Sequence, residues 1–256
     1  MKLLIVGCSG SFAGPESPAS CYVVTAEHEG RTWRVALDFG SGALGAMQRH
    51  LDPMALDAVV LSHLHPDHCL DLCGLKVMRC YNPVKLPDAV LPVYAPVGAA
   101  ERLARAYGVE APEPLGPYLD FREIGAREPI VIGPFVITPV PVRHPVQAYG
   151  LRVQADGAVL AYTGDTDLCD ELSELCVDAD LVLADCAFVD GRDDAKVGVH
   201  MSGSRAARAV VRATGVRRLM LTHLPTWNDP DVCREQAETV WPGVVEMAQP
   251  GVTYEV

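Results

Sequence analysis

The run His63-Leu64-His65-Pro66-Asp67-His68 restricts the fold of this chain more than any other feature. It places four potential metal ligands within six residues, directly after the apolar run Ala58–Leu61. Four such side chains cannot all enter a core, because each unpartnered buried polar group costs roughly 2–7 kcal/mol. The fold must deliver them to a loop at a strand end, where something satisfies them together. His63 and His65 are spaced so that both imidazoles emerge on one side of an extended segment. Pro66 turns the chain, so Asp67 and His68 aim at a neighbouring point. One motif can therefore serve two adjacent cations, and a functionless exposed histidine tract is the poorer reading.

Further donors also lie just past apolar strands. His144 closes Pro139-Val140-Pro141-Val142-Arg143 and is held extended by Pro145. Asp165 follows Leu160-Ala161-Tyr162-Thr163-Gly164, and His223 follows Leu219-Met220-Leu221-Thr222. His200 precedes a predicted helix, where it can reach the site or act as a supporting or capping histidine. His28, in a polar turn, and His50, at a helix end, receive no role.

Apolar residues make up 49 % and charged residues 21 %, which suits a single globular domain over 1–256. No repeat, low-complexity tract or polar linker divides it, and the proline-rich stretch Pro83–Pro117 reads as surface excursions of the same unit. Lys and Arg total 21 against 33 Asp and Glu, a net charge of −12 that repels an extended polyanion. The clustered Arg205, Arg208, Arg212, Arg217 and Arg218 read as a solvated helix face and its exit. Nine cysteines show no structural-zinc spacing, and Cys69 and Cys73 read as small core residues one turn apart on a helix. Reduced thiols point to the cytoplasm. The run Leu3–Val6 before Gly7-Cys8 is too short for a secretory core of roughly 7–15 residues. No stretch is long enough to span a bilayer, so no membrane partner is expected.

The pattern predicts strands at Leu3–Val6, Tyr22–Ala26, Trp33–Leu37, Ala58–Leu61 and Leu91–Ala95. Several more fall between Leu119 and Tyr162, then Leu181–Ala184, Leu219–Leu221 and a closing Val244–Met247. Helices are expected before Pro53, from His68 to about Tyr81, and over Val97–Tyr107, Leu168–Leu175, Ser204–Thr214 and Asp231–Val240. This order suits an α+β fold, a four-layer αββα sandwich with two sheets face to face and helices outside.

With these residues in this order the chain resembles the metallo-β-lactamase superfamily along nearly its whole length. The HxHxDH motif and its later partners carry the likeness. The resemblance implies a binuclear site at the sheet edge: His63, His65 and His144 on one metal, Asp67, His68 and His223 on the other, Asp165 bridging. Asp38, in Leu37-Asp38-Phe39-Gly40, matches the family's early aspartate, which orients a histidine ligand; by sequence alone it is equally an ordinary strand-end turn. Two divalent ions would sit about 3.5–4 Å apart and turn a bridging water into a hydroxide nucleophile near pH 7. Zinc is expected, although manganese or iron also suits these donors. Asp67 could also accept the water's proton, which makes Asp67 and His200 the catalytic candidates. Cys8 and Cys186 lack an adjacent base, so covalent catalysis has no place.

The superfamily hydrolyses β-lactams, thioesters, lactones, sulfate esters and phosphodiesters, so the fold leaves the substrate open. The surroundings of Asp165, His200-Met201-Ser202 and Leu221-Thr222-His223 look like the ribonuclease Z branch. There the extra histidine contacts the phosphate and helps the leaving oxygen depart. Only 20 residues separate His144 from Asp165, leaving no room for the long tRNA-clamping arm that bacterial enzymes of that branch carry in this interval. Other blocks are similar to the actinobacterial cyclic-nucleotide phosphodiesterases: Gly7-Cys8-Ser9-Gly10-Ser11, Ser17-Pro18-Ala19-Ser20, Gln48-Arg49-His50, and Thr222-His223-Leu224-Pro225 with Trp227. Pro66 and Met201 depart from that pattern at positions that should not disturb ligation.

The resemblance thus implies a cytoplasmic hydrolase of a small phosphodiester, a cyclic 3′,5′-nucleotide such as cyclic AMP or cyclic GMP. Nucleic acid is not the expected partner, and a homodimer is compatible with the reading. Three alternatives stand beside it: an arm-less tRNA 3′-end endonuclease, a lactone or thioester hydrolase, and a non-catalytic metal- or nucleotide-binding protein, which the seven intact ligands disfavour. Trp227 could stack on a base, but tryptophan's ordinary habit favours packing beneath its loop.

Overall fold

Alternate residues of the first strand enter different cores: Leu3 and Ile5 face one, Leu4 and Val6 another. A strand buried on both faces needs a layer on each side, and that requirement generates the architecture. The computed structural model describes residues 1–84, 90–109 and 118–256. Parts of the proline-rich stretch, 85–89 and 110–117, lie outside the described residues.

The first half runs β1 (Lys2–Gly7), β2 (Cys21–His28), β3 (Arg31–Leu37), α1 (Ala43–Met47), β4 (Ala58–Val60), α2 (Pro66–Cys69), α3 (Leu72–Tyr81), β5 (Leu91–Ala95), α4 (Ala99–Tyr107) and β6 (Leu119–Glu123). The second half runs β7 (Ile130–Ile132), β8 (Phe135–Pro141), β9 (Tyr149–Ala155), β10 (Ala158–Tyr162), α5 (Glu171–Cys176), β11 (Leu181–Asp185), α6 (Gly203–Arg212), β12 (Leu219–Thr222), α7 (Pro230–Glu238), β13 (Val245–Met247) and β14 (Thr253–Glu255).

Among the described residues these strands form two seven-stranded sheets, ordered β14-β1-β2-β3-β4-β5-β6 and β13-β12-β11-β10-β9-β8-β7. The central core draws Leu3, Ile5, Tyr22 and Val24 from the first sheet and Phe135, Leu151, Leu183 and Met220 from the second. Leu4, Val6 and Val23 face outward to Met47, Leu72, Leu75 and Leu103 of the helices on that side. Val182, Ala184 and Leu221 meet Leu172, Leu175, Ala206, Val210 and Ala237 on the other. The result is the expected αββα sandwich. Among the described residues no helix is long and apolar enough to cross a membrane.

Three local departures from the sequence reading have physical causes. The helix expected from His68 to Tyr81 is two, because the Leu70–Asp71 step is captured from outside. Asp71 accepts from the Leu44 amide at 2.9 Å and its own amide donates to the Phe39 carbonyl at 3.2 Å. Cys69 and Cys73 therefore lie on different helices. The helix expected from Leu168 starts at Glu171, because Asp167 N–H donates to the Arg143 carbonyl and Asp167 Oδ1 accepts from the Leu168 amide. The chain closes with β14, antiparallel to β1 from Lys2 opposite Glu255 to Leu4 opposite Thr253. Thr253-Tyr254-Glu255 is short and largely exposed, so nothing in its pattern announces a strand.

Candidate metal centre

In the first sheet β3 and β4 are parallel. In the second, β8 and β9, and β9 and β10, are antiparallel, while β10, β11 and β12 are parallel. The carboxyl ends of β8, β10, β11 and β12 thus share one edge. Each of these strand ends delivers a polar residue: Asp38 after β3, Ser62 and His63 after β4, His144 after β8, Asp165 after β10 and His223 after β12, while Asp185 is the last residue of β11. Six of the eight histidines gather at this edge; His28 and His50 do not.

Asp38 organises the floor. It is fully buried and left-handed (φ 59°), a conformation that aspartate tolerates better than most residues. Its Oδ2 accepts from His68 Nδ1–H at 2.7 Å, Ser62 Oγ–H at 2.8 Å and Tyr162 O–H at 2.7 Å. Its Oδ1 accepts from the Ser62 amide at 2.7 Å. A side chain at Gly40 would strike the Asp67 carbonyl, its Cβ 1.9 Å away, so only glycine lets this turn lie against the histidine motif.

Two donor sets rise from that floor. In the first, His63 Nε2 lies 3.0 Å from His65 Nδ1, which is 3.2 Å from His144 Nε2. In the second, His68 Nε2 lies 3.3 Å from His223 Nε2, and Asp67 Oδ2 is 3.2 Å from His223 Nε2. Asp165 stands between them, Oδ2 3.5 Å from His63 Nε2 and Oδ1 3.1 Å from His68 Nε2. The outer ring nitrogens are held from behind: His63 Nδ1 by Ser62 Oγ, His144 Nδ1 by the Val199 carbonyl at 2.8 Å, His68 by Asp38. Such backing fixes the tautomer that turns a lone pair inward.

This arrangement suits divalent metal. Ligands about 2.05 Å from a tetrahedral ion stand roughly 3.3 Å from one another, and the facing ring nitrogens here are 3.0–3.3 Å apart. Asp165 Oδ1 is buried and close to two imidazoles, yet it makes no properly directed hydrogen bond. It points, as they do, at the space between them.

The two halves differ in charge before metal arrives. Burial pushes His63 well below the usual imidazole range, helped by neighbouring His68, and it lowers His65 and His144 too. Burial also opposes charge on His68 and His223, but carboxylates override it. Asp165, Asp38 and Asp67 hold His68 well above its ordinary value, and Asp165, Asp185 and Asp67 raise His223 to about 10. In return, imidazoles hold Asp67 and Asp165 below the carboxylate range despite burial.

His200 belongs to neither set. Its Nδ1–H donates to Asp185 Oδ2 at 2.9 Å and lies 4.0 Å from Asp165 Oδ2. Burial opposes its charge, but Asp185 raises its pKa above the ordinary value. Asp165, Asp185, His200 and His223 form a third group close enough to share an ion. It reuses Asp165 and His223, so His200 reads more simply as a side chain beside the other two sets.

Sequence reasoning missed Asp185, Ser62 and Tyr162. Asp185 carries the same signal that singled out Asp165, a carboxylate at the end of an apolar strand, and could have been found. Tyr162 could not, because its hydroxyl partner is 124 positions away. Two expectations change. Trp227 is 62 % exposed and leans on Phe12, ring centroids 5.0 Å apart, instead of packing beneath its loop. The loop turns Asn228 inward in its place: its amide donates to the Ala187 carbonyl at 2.9 Å. Arg205 is not part of a solvated face, since it pairs with buried Asp167 at 3.3 Å. Cys8 and Cys186 are pushed up, chiefly by burial for Cys8 and by the Cys233 thiol for Cys186, which disfavours the thiolate at both.

A two-sheet sandwich that gathers histidines and aspartates at one edge in this way defines a metallo-hydrolase fold. The chain belongs to the metallo-β-lactamase superfamily: residues 34–224 match the β-lactamase superfamily domain. It is 40 % identical over its full length to the uncharacterized protein ML1173 of Mycobacterium leprae, spanning 89 % of that protein. It is 29 % identical to the probable metallo-hydrolase YhfI of Bacillus subtilis, with all of both chains covered. The crystal structure of YhfI superposes with a TM-score of 0.88 over 99 % of this chain and 98 % of that one, at 27 % identity. Human tRNase Z, short form, shares the fold at a TM-score of 0.75 and 20 % identity, covering 100 % of this chain and 99 % of that one.

Proposed function

We propose that this protein hydrolyses a small phosphodiester, a cyclic 3′,5′-nucleotide, with a divalent ion at each donor set. His63, His65 and His144 would hold one ion, Asp67, His68 and His223 the other, with Asp165 shared. When bound, such ions supply Lewis acidity and a water acidic enough to be a nucleophile near neutral pH. The rest falls to the chain's own residues. Asp67 can take a proton from the attacking water. His200, whose protonated form Asp185 favours, can meet a phosphoryl oxygen and give its Nε2 proton to the departing 3′ oxygen. Water adds to phosphorus, the P–O3′ bond breaks, and a monoester leaves.

The observation that carries this reading is the placement of His200, backed by Asp185 and beside Asp165 without joining either donor set. An alkoxide leaving group needs such an acid; a thiolate does not. A tRNA substrate is disfavoured because the interval after His144 is taken up by the β9–β10 hairpin, with no arm, and because the net charge is −12. The test is to assay metal-loaded protein on cyclic AMP, cyclic GMP and bis(p-nitrophenyl) phosphate. Metal-dependent turnover is expected, and failure on all three rejects the proposal. Binding of tRNA that tightens as salt falls would favour the endonuclease instead.

A further inference from the structure

Phe12 and Trp227 are partners on two different loops, tilted 45° to each other at 5.0 Å. They remain 39 % and 62 % exposed, although large aromatic rings ordinarily bury their faces. Both loops are anchored at the metal centre. The amide of Ser11, next to Phe12, lies 3.2 Å from His223 Nε2. Gly10 N–H donates to the Leu224 carbonyl at 3.1 Å, and a Cβ at Gly10 would sit 2.2 Å from the His223 carbonyl oxygen. Trp227 lies four positions beyond His223, on a turn closed by Asn228 N–H to the Pro225 carbonyl at 2.9 Å. The aromatic pair is therefore an apolar step on two loops tied to the polar site at His223, and its exposure leaves ring surface available to a third plane.

From this we infer that Phe12 and Trp227 form the platform on which the nucleobase of the substrate stacks while its phosphate sits at the donor sets. The inference rests on the phosphodiesterase reading and deepens it by assigning the residues that hold the base. Stacking on aromatic side chains tolerates any base, since every base has a flat π face. The platform thus sets a preference for nucleotides over base-free phosphodiesters rather than for one base.

The test compares kcat/KM for cyclic AMP with kcat/KM for base-free cyclic ribose 3′,5′-phosphate in metal-loaded wild type, Phe12→Ala, Trp227→Ala and Trp227→Phe. The ratio of the two should fall about tenfold in each alanine variant, mostly through KM, by the usual worth of one base–aromatic stack. Trp227→Phe should restore most of it. An unchanged ratio overturns the inference, as does a changed oligomeric mass in Trp227→Ala with the ratio intact, which would assign the pair to a subunit contact. If wild type hydrolyses neither compound, the phosphodiesterase reading fails, and the platform is then judged by binding alone. Quenching of tryptophan fluorescence by 5′-AMP, present in wild type and lost in Trp227→Phe, supports it; no quenching overturns it.

Discussion

Asp185 and His200 are joined by a 2.9 Å hydrogen bond from Nδ1–H to Oδ2, and the carboxylate's other oxygen lies 3.3 Å from His223 Nδ1. One buried side chain at the end of β11 thus steadies a candidate proton donor and a candidate metal ligand. Its position is fixed in turn by the Thr166 and Ala187 amides, at 3.0 and 3.1 Å. Asp185→Asn keeps the shape and removes the charge. Burial lowers the His200 pKa and Asp185 raises it above the ordinary value, so the variant's His200 should deprotonate at lower pH. If protonated His200 is the acid, the fall in kcat with rising pH should begin earlier, with metal affinity down about 10–100-fold through His223. A pH profile whose alkaline limb stays put would remove His200 from the acid role.

His200 and His223 should separate cleanly on mutation. His200→Ala should keep its metal content by elemental analysis and lose about 10²–10⁴-fold in kcat on cyclic AMP. The loss should be much smaller on bis(p-nitrophenyl) phosphate, whose leaving group departs without a proton. His223→Ala, taken from the donor set itself, should lose metal and both activities together. Equal losses on the two substrates in His200→Ala would mean that the side chain positions the phosphate and transfers no proton.

The fold was legible because its strands are short apolar runs, many of them buried on both faces, and its donors sit just beyond them in segments too polar to bury. His63 to His68, His144, Asp165 and His223 each announce themselves as a ligand type after an apolar strand. What stayed hidden depends on contacts distant in sequence. Asp71 breaks a helix by bonding to Leu44 and Phe39, β14 exists only because β1 is there to pair with it, and Ser62 and Tyr162 matter through Asp38. Trp227 was misread because habit places tryptophan inside, and no local signal records that Phe12 waits beside it.

Asp38 lets backbone and hydrogen-bond contributions be told apart. Asp38→Asn keeps a side chain that tolerates positive φ but offers one acceptor oxygen where two served the Ser62 amide, Ser62 Oγ, Tyr162 and His68. Each buried donor left unpaired costs about 1–3 kcal/mol, so a fall in Tm of several degrees is expected. Asp38→Ala loses all the acceptors and should unfold more readily still. In both variants His68 loses its backing, and weaker metal retention should accompany the lower Tm. A Tm equal to wild type in Asp38→Asn would show that solvent replaces the lost acceptor.

The charge difference between the donor sets gives the last prediction, for protein stripped of metal by a chelator. His63, His65 and His144 are lowered and stand neutral at pH 7, whereas His68 and His223 are raised and stand protonated among buried Asp38, Asp67, Asp165 and Asp185. A raised histidine contributes stability that is complete below its unfolded value, about 6.5. That contribution disappears as pH rises through the folded value, about 10 for His223. Metal-free protein should therefore lose Tm steadily between those limits, as the carboxylates keep their charge and lose their cations. Metal should abolish the loss, because the ion replaces the protons. Calorimetric titration in buffers of different ionisation enthalpy should then find little proton release for a first ion at the neutral set and release for a second at the charged one. A chelated protein with flat Tm across this range, or two ions binding with equal proton release, would show that the two sets are not electrostatically distinct.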